Sequence, residues 1–187
     1  MTRLLLVKHS LVEIVESAPA HEWILSNEGR MRAQMLAEKL IAFRPDAVVS
    51  SLEPKARQTA EIIAEECRLN VQTMEGLHEH ERSRVPFLQR DKFEFIVKEF
   101  FEKPDSIVFG DESAAHALAR FQKAVDAAVR STGADHLIIV SHGTVISLYV
   151  SAVTGCDGFF LWQELDLPSC VVLDLEANSI AEKIYLD

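Results

Sequence analysis

Three short apolar segments of the chain each end in polar residues that could bind and transfer an anionic group. The segments with their polar ends are Leu4 to Val7 before Lys8-His9-Ser10, Ala47 to Val49 before Ser50-Ser51, and Leu137 to Val140 before Ser141-His142-Gly143. Lys55 and Arg57 follow the second segment closely. Histidines and lysines without thiolates or a carboxylate cluster suit a phosphate group far better than a metal ion.

The apolar segments are continuous rather than alternating, which is typical of strands buried on both faces of a sheet. A fourth such segment is Cys170 to Leu173. Parallel strands place their carboxyl ends along one edge of the sheet, where open α/β folds bind ligands. We therefore expect His9 and His142 to share a small volume with at least one lysine.

Apolar residues at helical spacing predict three helices between these strands. They contain Ala33 to Ile41, Ala56 to Cys67, and Ala114 to Ala128. For the third helix, Asp111 is the predicted N-cap and Gly133 the predicted stop. Alternating strands and helices predict an α/β fold, with a mostly parallel central sheet between two helical layers.

The length, composition and charge of the chain limit the kinds of protein it can be. The chain has 187 residues, of which 48% are hydrophobic and 26% charged, which predicts one globular domain over residues 1–187. A net charge of −10 disfavours nucleic acid and anionic membranes as partners. The apolar start reaches Lys8 too early for a signal peptide, which favours a cytoplasmic protein. Three scattered cysteines predict neither disulfides nor a zinc site.

Two regions are irregular in sequence, residues 10–26 and 76–110. The second predicts an inserted helical segment around residues 85–104. It holds five of the ten phenylalanines, Phe87, Phe93, Phe95, Phe100 and Phe101. We interpret them as core packing of this segment. An apolar wall over the substrate and a subunit contact in a homodimer stay open as alternatives.

An ordered set of motifs resembles the histidine phosphatase superfamily, which includes the cofactor-dependent phosphoglycerate mutases. The corresponding segments are Leu5 to Ser10, Leu25 to Arg30, Ser50 to Ala60, Leu77 to Glu79, Gly110 to Ser113 with Arg120, and Val140 to Ile146. No single motif is specific, but the set spans most of the chain in the family's order. The resemblance implies a phosphoglycerate mutase-like fold and phosphatase activity.

The resemblance also implies roles for individual residues. His9 would be the nucleophile that takes the phosphoryl group, His142 the second pocket histidine, and Glu79 the general acid. Lys8 and Lys55 stand where the family usually has phosphate-binding arginines, and Ser10 stands where it has a glycine. The resemblance thus implies that Lys8, Lys55 and Ser10 bind the phosphate. Lysine keeps the positive charge but lacks the planar fork that grips two phosphate oxygens.

Lys55 and Arg57 compete for one phosphate-binding position. Counted back from Thr59, the family's arginine falls on Lys55. Residues two apart on a helix point roughly 200° apart, so only one of the two side chains can face the site. Arg57 stays a candidate because its guanidinium is the better phosphate ligand.

Together these residues predict hydrolysis of a small phosphomonoester through a phosphohistidine on His9. The substrate would be a small phosphorylated metabolite, and no metal or cofactor is expected because lysines and His142 would balance the transferred charge. The loss of both arginines would weaken the activity. Glu79 must be protonated when it acts, which predicts burial or a nearby carboxylate such as Glu81 that raises its pKa.

Other functions stay open at this point. One is a non-catalytic phosphate- or phosphoprotein-binding module that keeps the pocket, and another is a phosphomutase. A metal-dependent hydrolase using His78 and His80 is disfavoured, because no His-x-x-x-His spacing supports it.

Overall fold

A six-stranded sheet in the order β3-β2-β4-β1-β5-β6 forms the centre of the computed structural model, which describes residues 3–86 and 88–186. The strands are β1 (Arg3–Lys8), β2 (Ala47–Ser50), β3 (Val71–Thr73), β4 (His136–Ser141), β5 (Ser169–Asp174) and β6 (Ser179–Ile184). Strands β1 to β4 are parallel, whereas β5 pairs antiparallel with both β1 and β6. The four predicted strands and the mostly parallel sheet are confirmed.

Helices cover both faces of the sheet. They are α1 (Asn27–Leu40), α2 (Pro54–Cys67), α3 (Arg90–Glu102), α4 (Ala114–Thr132), α5 (Gly143–Thr154) and α6 (Gly158–Glu164). Successive residues of β1 alternate between two cores, since Leu5 packs with the α1 and α2 side chains and Leu4 with those of α3 to α6. None of the helices within the described ranges is long and apolar enough to cross a bilayer.

The third predicted helix, α4, begins later than we expected. Ser113 is its N-cap, and its side chain accepts a hydrogen bond from the His116 N–H at 3.3 Å. Asp111 lies outside the helix, where its carboxylate is 3.4 Å from Arg84. The prediction for Asp111 is therefore wrong. The predicted stop at Gly133 is confirmed, because Gly133 takes the left-handed conformation, φ 60°, that ends the helix.

Helix α3 lies within the segment for which we predict a helical insertion. Phe100 is fully buried, and its ring lies 5.5 Å from that of Phe109, so core packing is confirmed at this position. Phe93 packs on Trp162 with 5.8 Å between ring centroids. Phe95 is 73% exposed, so core packing is wrong there, and Phe87 lies outside the described residues.

Gly29 joins the start of α1 to the loop that carries His9. Its N–H donates to the Ser26 side chain, the N-cap of α1, at 3.0 Å, and its carbonyl accepts from the Ser10 hydroxyl at 2.7 Å. A Cβ at this position would collide with the carbonyl oxygen of Leu11. Because that contact is with backbone, a side chain here cannot be accommodated by rotamer changes alone.

We predict that Gly29→Ala lowers the free energy of unfolding by about 1–3 kcal/mol, because the loop must move to relieve the collision. The matched control is Arg30→Ala, at the next and exposed position of the same helix. Urea denaturation of both variants measures the effect. Equal stabilities for the two would contradict the predicted collision.

Candidate functional site

The carboxyl ends of β1, β2 and β4 meet and bring the two predicted histidines together. The His9 N–H donates to the Ser141 carbonyl at 2.9 Å, and the Ser51 N–H donates to the Val140 carbonyl at 2.9 Å. These bonds extend the strand pairing past the strand ends. The rings of His9 and His142 consequently lie 5.2 Å apart, edge to face.

His9 is buried and its ring is oriented by the backbone. Its Nδ1 lies 2.8 Å from the Ser10 carbonyl, which can only accept, so the proton is on Nδ1 and the lone pair is on Nε2. Burial lowers the pKa of His9 well below its usual value, and His142 and Lys55 lower it further. A neutral imidazole with a free Nε2 is the form that can act as a nucleophile.

His142 is fully buried as the N-cap residue of α5. Its Nε2 lies 3.0 Å from the Ser51 hydroxyl and 3.4 Å from a carboxylate oxygen of Glu53, whereas its buried Nδ1 has no partner among the described residues. Burial and the charge of Lys55 lower its pKa well below the usual value. Nδ1 is therefore the ring nitrogen left for a ligand, and in the tautomer in which Ser51 donates to Nε2 it carries a proton that an anion can accept.

Lys55 points into the site from the first turn of α2. It is 5% exposed and forms an ion pair with Glu53, and its ammonium also donates to the Ala20 carbonyl at 2.8 Å. Glu53 in turn accepts a hydrogen bond from the Glu79 N–H at 2.9 Å. The role of Glu53 could not be predicted from the sequence, because acidic residues are common near helix N-termini, where they usually face solvent.

Lys8 approaches from the other side, beside the start of α5. Its side-chain carbons pass about 3.1 Å from where a Cβ of Gly143 would be, so a glycine at this position leaves it room. The Lys8 ammonium donates to the Leu165 carbonyl at 2.6 Å. Burial lowers the pKa of Lys8 to about 8, although Glu79 and Asp166 oppose the shift.

Glu79 lies beside His142 on the loop that follows β3. One carboxylate oxygen accepts from the His80 N–H at 2.9 Å, and the other accepts from the Thr144 N–H at 3.3 Å. Burial acts to raise the pKa of Glu79, but the charge of Arg82, the interaction with His142 and the His80 hydrogen bond outweigh it and lower the pKa to about 2.

The expectation of a raised pKa for Glu79 is therefore wrong in the free site. The neighbouring carboxylate also differs from the expected one. Glu53 is the carboxylate that opposes ionisation of Glu79, whereas Glu81 lies 3.2 Å from His78 and is half exposed. Closeness in sequence was misleading because this loop has no regular structure, so no periodicity gives the direction of the Glu81 side chain.

The loop that carries Glu79 is held by Arg120 of α4. Its guanidinium donates to the carbonyls of Gly76 at 2.8 Å and His78 at 2.9 Å, and forms an ion pair with Glu112 at 2.5 Å. His80 is buried against Phe100, with 4.3 Å between ring centroids, and its Nε2 lies 3.1 Å from the Glu112 carbonyl. Arg120 positions Glu79 without being part of the pocket.

Two predicted phosphate-binding residues are used elsewhere. The Ser10 hydroxyl donates to Gly29, and the Ser10 N–H donates to the Thr59 hydroxyl at 3.0 Å, so Ser10 ties the loop to α1 and α2. The Arg57 side chain is 53% exposed and lies 3.4 Å from Glu61 on the same helix. Within α2, the helical register turns the buried Lys55 inward and the exposed Arg57 outward.

A cavity of about 1110 Å³ opens next to these residues. Its inner wall includes Glu53 and Lys55, and its outer wall is built from residues 16–21 and 78–86, which include Glu79, with Trp23 and Phe93. Among the described residues, no three His, Cys, Asp or Glu side chains are grouped so that they could hold a metal ion. Glu53, Lys55 and Glu79 line this cavity, whereas His9, His142 and Lys8 are not among its lining residues. The two histidines contact it through Glu53, which lies 3.4 Å from His142.

Comparison with solved structures finds the same fold in several proteins. Bacillus stearothermophilus YhfR superposes with a TM-score of 0.78 at 20% identity, over 97% of this chain and 96% of that one. A phosphoserine phosphatase from Entamoeba histolytica gives 0.77 at 18% identity, over 100% and 98%. A mycobacterial glucosyl-3-phosphoglycerate phosphatase gives 0.77 at 22% identity, over 93% of both chains.

No curated protein matches the chain in sequence. A family model, by contrast, matches residues 4–185, which is nearly the whole chain and includes every candidate site residue. This match includes all the motifs that resemble the family in sequence. The chain therefore belongs to the histidine phosphatase superfamily, branch 1.

Proposed function

We propose that the protein hydrolyses a small phosphomonoester through a phosphohistidine intermediate on His9. The observation that carries the proposal is the state of His9: buried, neutral, with Nδ1 bonded to the Ser10 carbonyl and Nε2 free beside His142. Membership of the histidine phosphatase superfamily supports the reaction class. Two proteins of the same fold are named as phosphatases of phosphoserine and of glucosyl-3-phosphoglycerate, which also supports a phosphomonoester.

In the first step, the Nε2 lone pair of His9 attacks phosphorus, and the bond to the leaving oxygen breaks. Glu79 gives that oxygen a proton, so the alcohol departs neutral. His142 Nδ1–H, Lys8 and Lys55 stabilise the charge on the equatorial oxygens, and the reaction therefore requires no metal ion. Water then attacks phosphorus, its proton returns to Glu79, and the P–N bond breaks to release inorganic phosphate and His9.

The proton on Glu79 has to arrive with the substrate. In the free site the pKa of Glu79 is lowered to about 2, so this carboxyl is ionised near neutrality. A phosphate ester brings negative charge next to it, and a nearby like charge raises the pKa of a carboxyl group. A monoanionic ester also carries a proton that it can share with Glu79. The acid is therefore formed on binding rather than before it.

A non-catalytic phosphate-binding module is the second candidate, because both predicted lysines already have partners in the protein. Lys55 pairs with Glu53, and Lys8 donates to the Leu165 carbonyl. A bound phosphate must compete with these partners for the two ammonium groups. This competition weakens the electrostatic stabilisation of the transition state on which turnover depends. Release of phosphate from p-nitrophenyl phosphate distinguishes the two functions.

We predict that His9→Ala lowers phosphatase activity at least about a thousandfold, because the nucleophile is lost. The exposed His116→Ala on α4 is the matched control and should keep the parent rate. Trapping with ³²P-labelled substrate should label wild type and the control, in an acid-labile, base-stable linkage, but not His9→Ala. Turnover by His9→Ala near the parent rate would refute the mechanism.

We predict that Lys55→Ala raises the inhibition constant of inorganic phosphate at least about tenfold, because a charge-assisted hydrogen bond contributes ~1.5–3 kcal/mol. Arg57→Ala should change it less than about twofold, since its side chain pairs with Glu61 outside the site. Thermal unfolding of both variants shows whether each is folded. The reverse ranking would mean that Arg57 turns inward when phosphate binds.

We predict that kcat/KM, which reports groups of the free enzyme, falls as pH rises through about 8, where Lys8 loses its proton. The sign follows from the shift: the pKa of Lys8 is lowered, so its charge is present below about pH 8 and lost above it. Lys8→Arg should remove this alkaline decline, and Lys8→Met should be slow at every pH. An unchanged decline in Lys8→Arg would assign it to another group.

A further inference from the structure

Arg82 presents an unused guanidinium donor next to the phosphate pocket. Its Nη1 is buried and has no hydrogen-bond partner among the described residues. Arg82 lines the same cavity as Glu53, Lys55 and Glu79. A buried guanidinium nitrogen without a partner is costly, because its hydration is lost and nothing replaces it. Such a group is expected where a ligand completes its hydrogen bonds.

The two lysines of the pocket differ from Arg82 in this respect. The Lys55 charge is balanced by Glu53, and the Lys8 ammonium donates to a backbone carbonyl. The charge of Lys55 is therefore largely neutralised before any ligand binds. An incoming phosphoryl group must therefore displace a partner from each lysine. Arg82 Nη1, by contrast, has no partner among the described residues that a ligand would have to displace.

The position of Arg82 is fixed from three sides. The N–H of the preceding residue, Glu81, donates to the Glu112 carboxylate at 3.0 Å, and the Glu81 carbonyl accepts from the Asp111 N–H at 2.7 Å. The guanidinium carbon lies 4.8 Å from the centre of the Phe93 ring, in a cation–π contact that restrains its plane. The side chain is therefore held in place before the ligand arrives.

Electrostatics indicate that this guanidinium acts on the reacting groups. The charge of Arg82 lowers the pKa of Glu79 and that of His142, and it also lowers the pKa of His80. Glu79 and His142 lie on the loop after β3 and on α5, so Arg82 influences both sides of the pocket.

We propose that Arg82 binds the phosphoryl group of the substrate and supplies the planar guanidinium fork that the pocket lacks at Lys8 and Lys55. The inference rests on the proposed function and identifies a further phosphate-binding residue, which reaches the site from the loop of residues 78–86 instead of a strand end. An arginine binds two phosphate oxygens at once, which an ammonium cannot do with the same geometry. The anion also satisfies the buried Nη1.

The test measures binding of inorganic phosphate by calorimetry in wild type, Arg82→Gln and Arg82→Lys. Arg84→Gln is the matched control, since Arg84 lines the same cavity but its side chain is 87% exposed and pairs with Asp111. We expect Arg82→Gln to weaken phosphate binding about tenfold to a hundredfold. Arg82→Lys should recover only part of the loss, and Arg84→Gln should stay within about twofold of wild type.

The outcomes separate this inference from the proposed function. Phosphate binding by Arg82→Gln within twofold of wild type would overturn it, as would full recovery in Arg82→Lys, because then no fork is needed. Unchanged phosphate affinity with a raised KM for p-nitrophenyl phosphate would place Arg82 on the leaving group and also overturn it. If wild type binds phosphate but hydrolyses no ester, the proposed function fails, and the affinity ratios still decide the role of Arg82.

Discussion

The buried ion pair between Glu53 and Lys55 sets the charge balance on which the rest of the site depends. An isolated ammonium as buried as that of Lys55 would be unfavourable by several kcal/mol, and the Glu53 carboxylate offsets that cost. The same carboxylate accepts the Glu79 N–H and lies 3.4 Å from His142. The Glu53 side chain therefore connects α2, the start of α5 and the loop that carries Glu79. In the free protein its negative charge balances Lys55, as the charge of a bound phosphate would.

Burial and nearby cations, rather than this internal anion, keep both histidines neutral. Each is buried and lies near cations, and a second positive charge in a poorly solvated site is unfavourable, so the pKa of each histidine is lowered. A neutral His9 needs no separate base to become a nucleophile, unlike a serine or threonine hydroxyl. In the proposed reaction, the proton that the leaving oxygen needs then comes from the substrate or from Glu79, whose carboxyl is ionised in the free site.

The parts of the site that could be predicted from the sequence are those fixed by regular structure. Parallel strands force His9 and His142 to one edge of the sheet, and helical register turns Lys55 inward and Arg57 outward. Glu53 and Arg82 could not be predicted in the same way, because their partners come from loops whose path no periodicity specifies. Glu81 was the wrong neighbour for Glu79, since closeness along a loop does not give the direction of a side chain.

The site consequently has two parts with different physical origins. Strand ends and helix starts hold His9, His142 and Lys55, and bonds from Ser10 to Gly29 and Thr59 fix the nucleophile loop to two helices. The outer wall is a loop held by the Arg120–Glu112 pair, and it carries Glu79 and Arg82. The base of this loop is tied to the sheet, because the Ser141 hydroxyl of β4 donates to the Leu77 carbonyl at 2.7 Å. The backbone of Glu81 bonds instead to Asp111 and Glu112, just before α4. In the proposed reaction, changes around Glu81 and Arg82 would therefore alter the leaving group that fits the cavity without disturbing His9. If the proposed function holds, the sheet edge determines the chemistry, and the cavity wall of residues 16–21 and 78–86, with Trp23 and Phe93, determines which phosphomonoester reaches it.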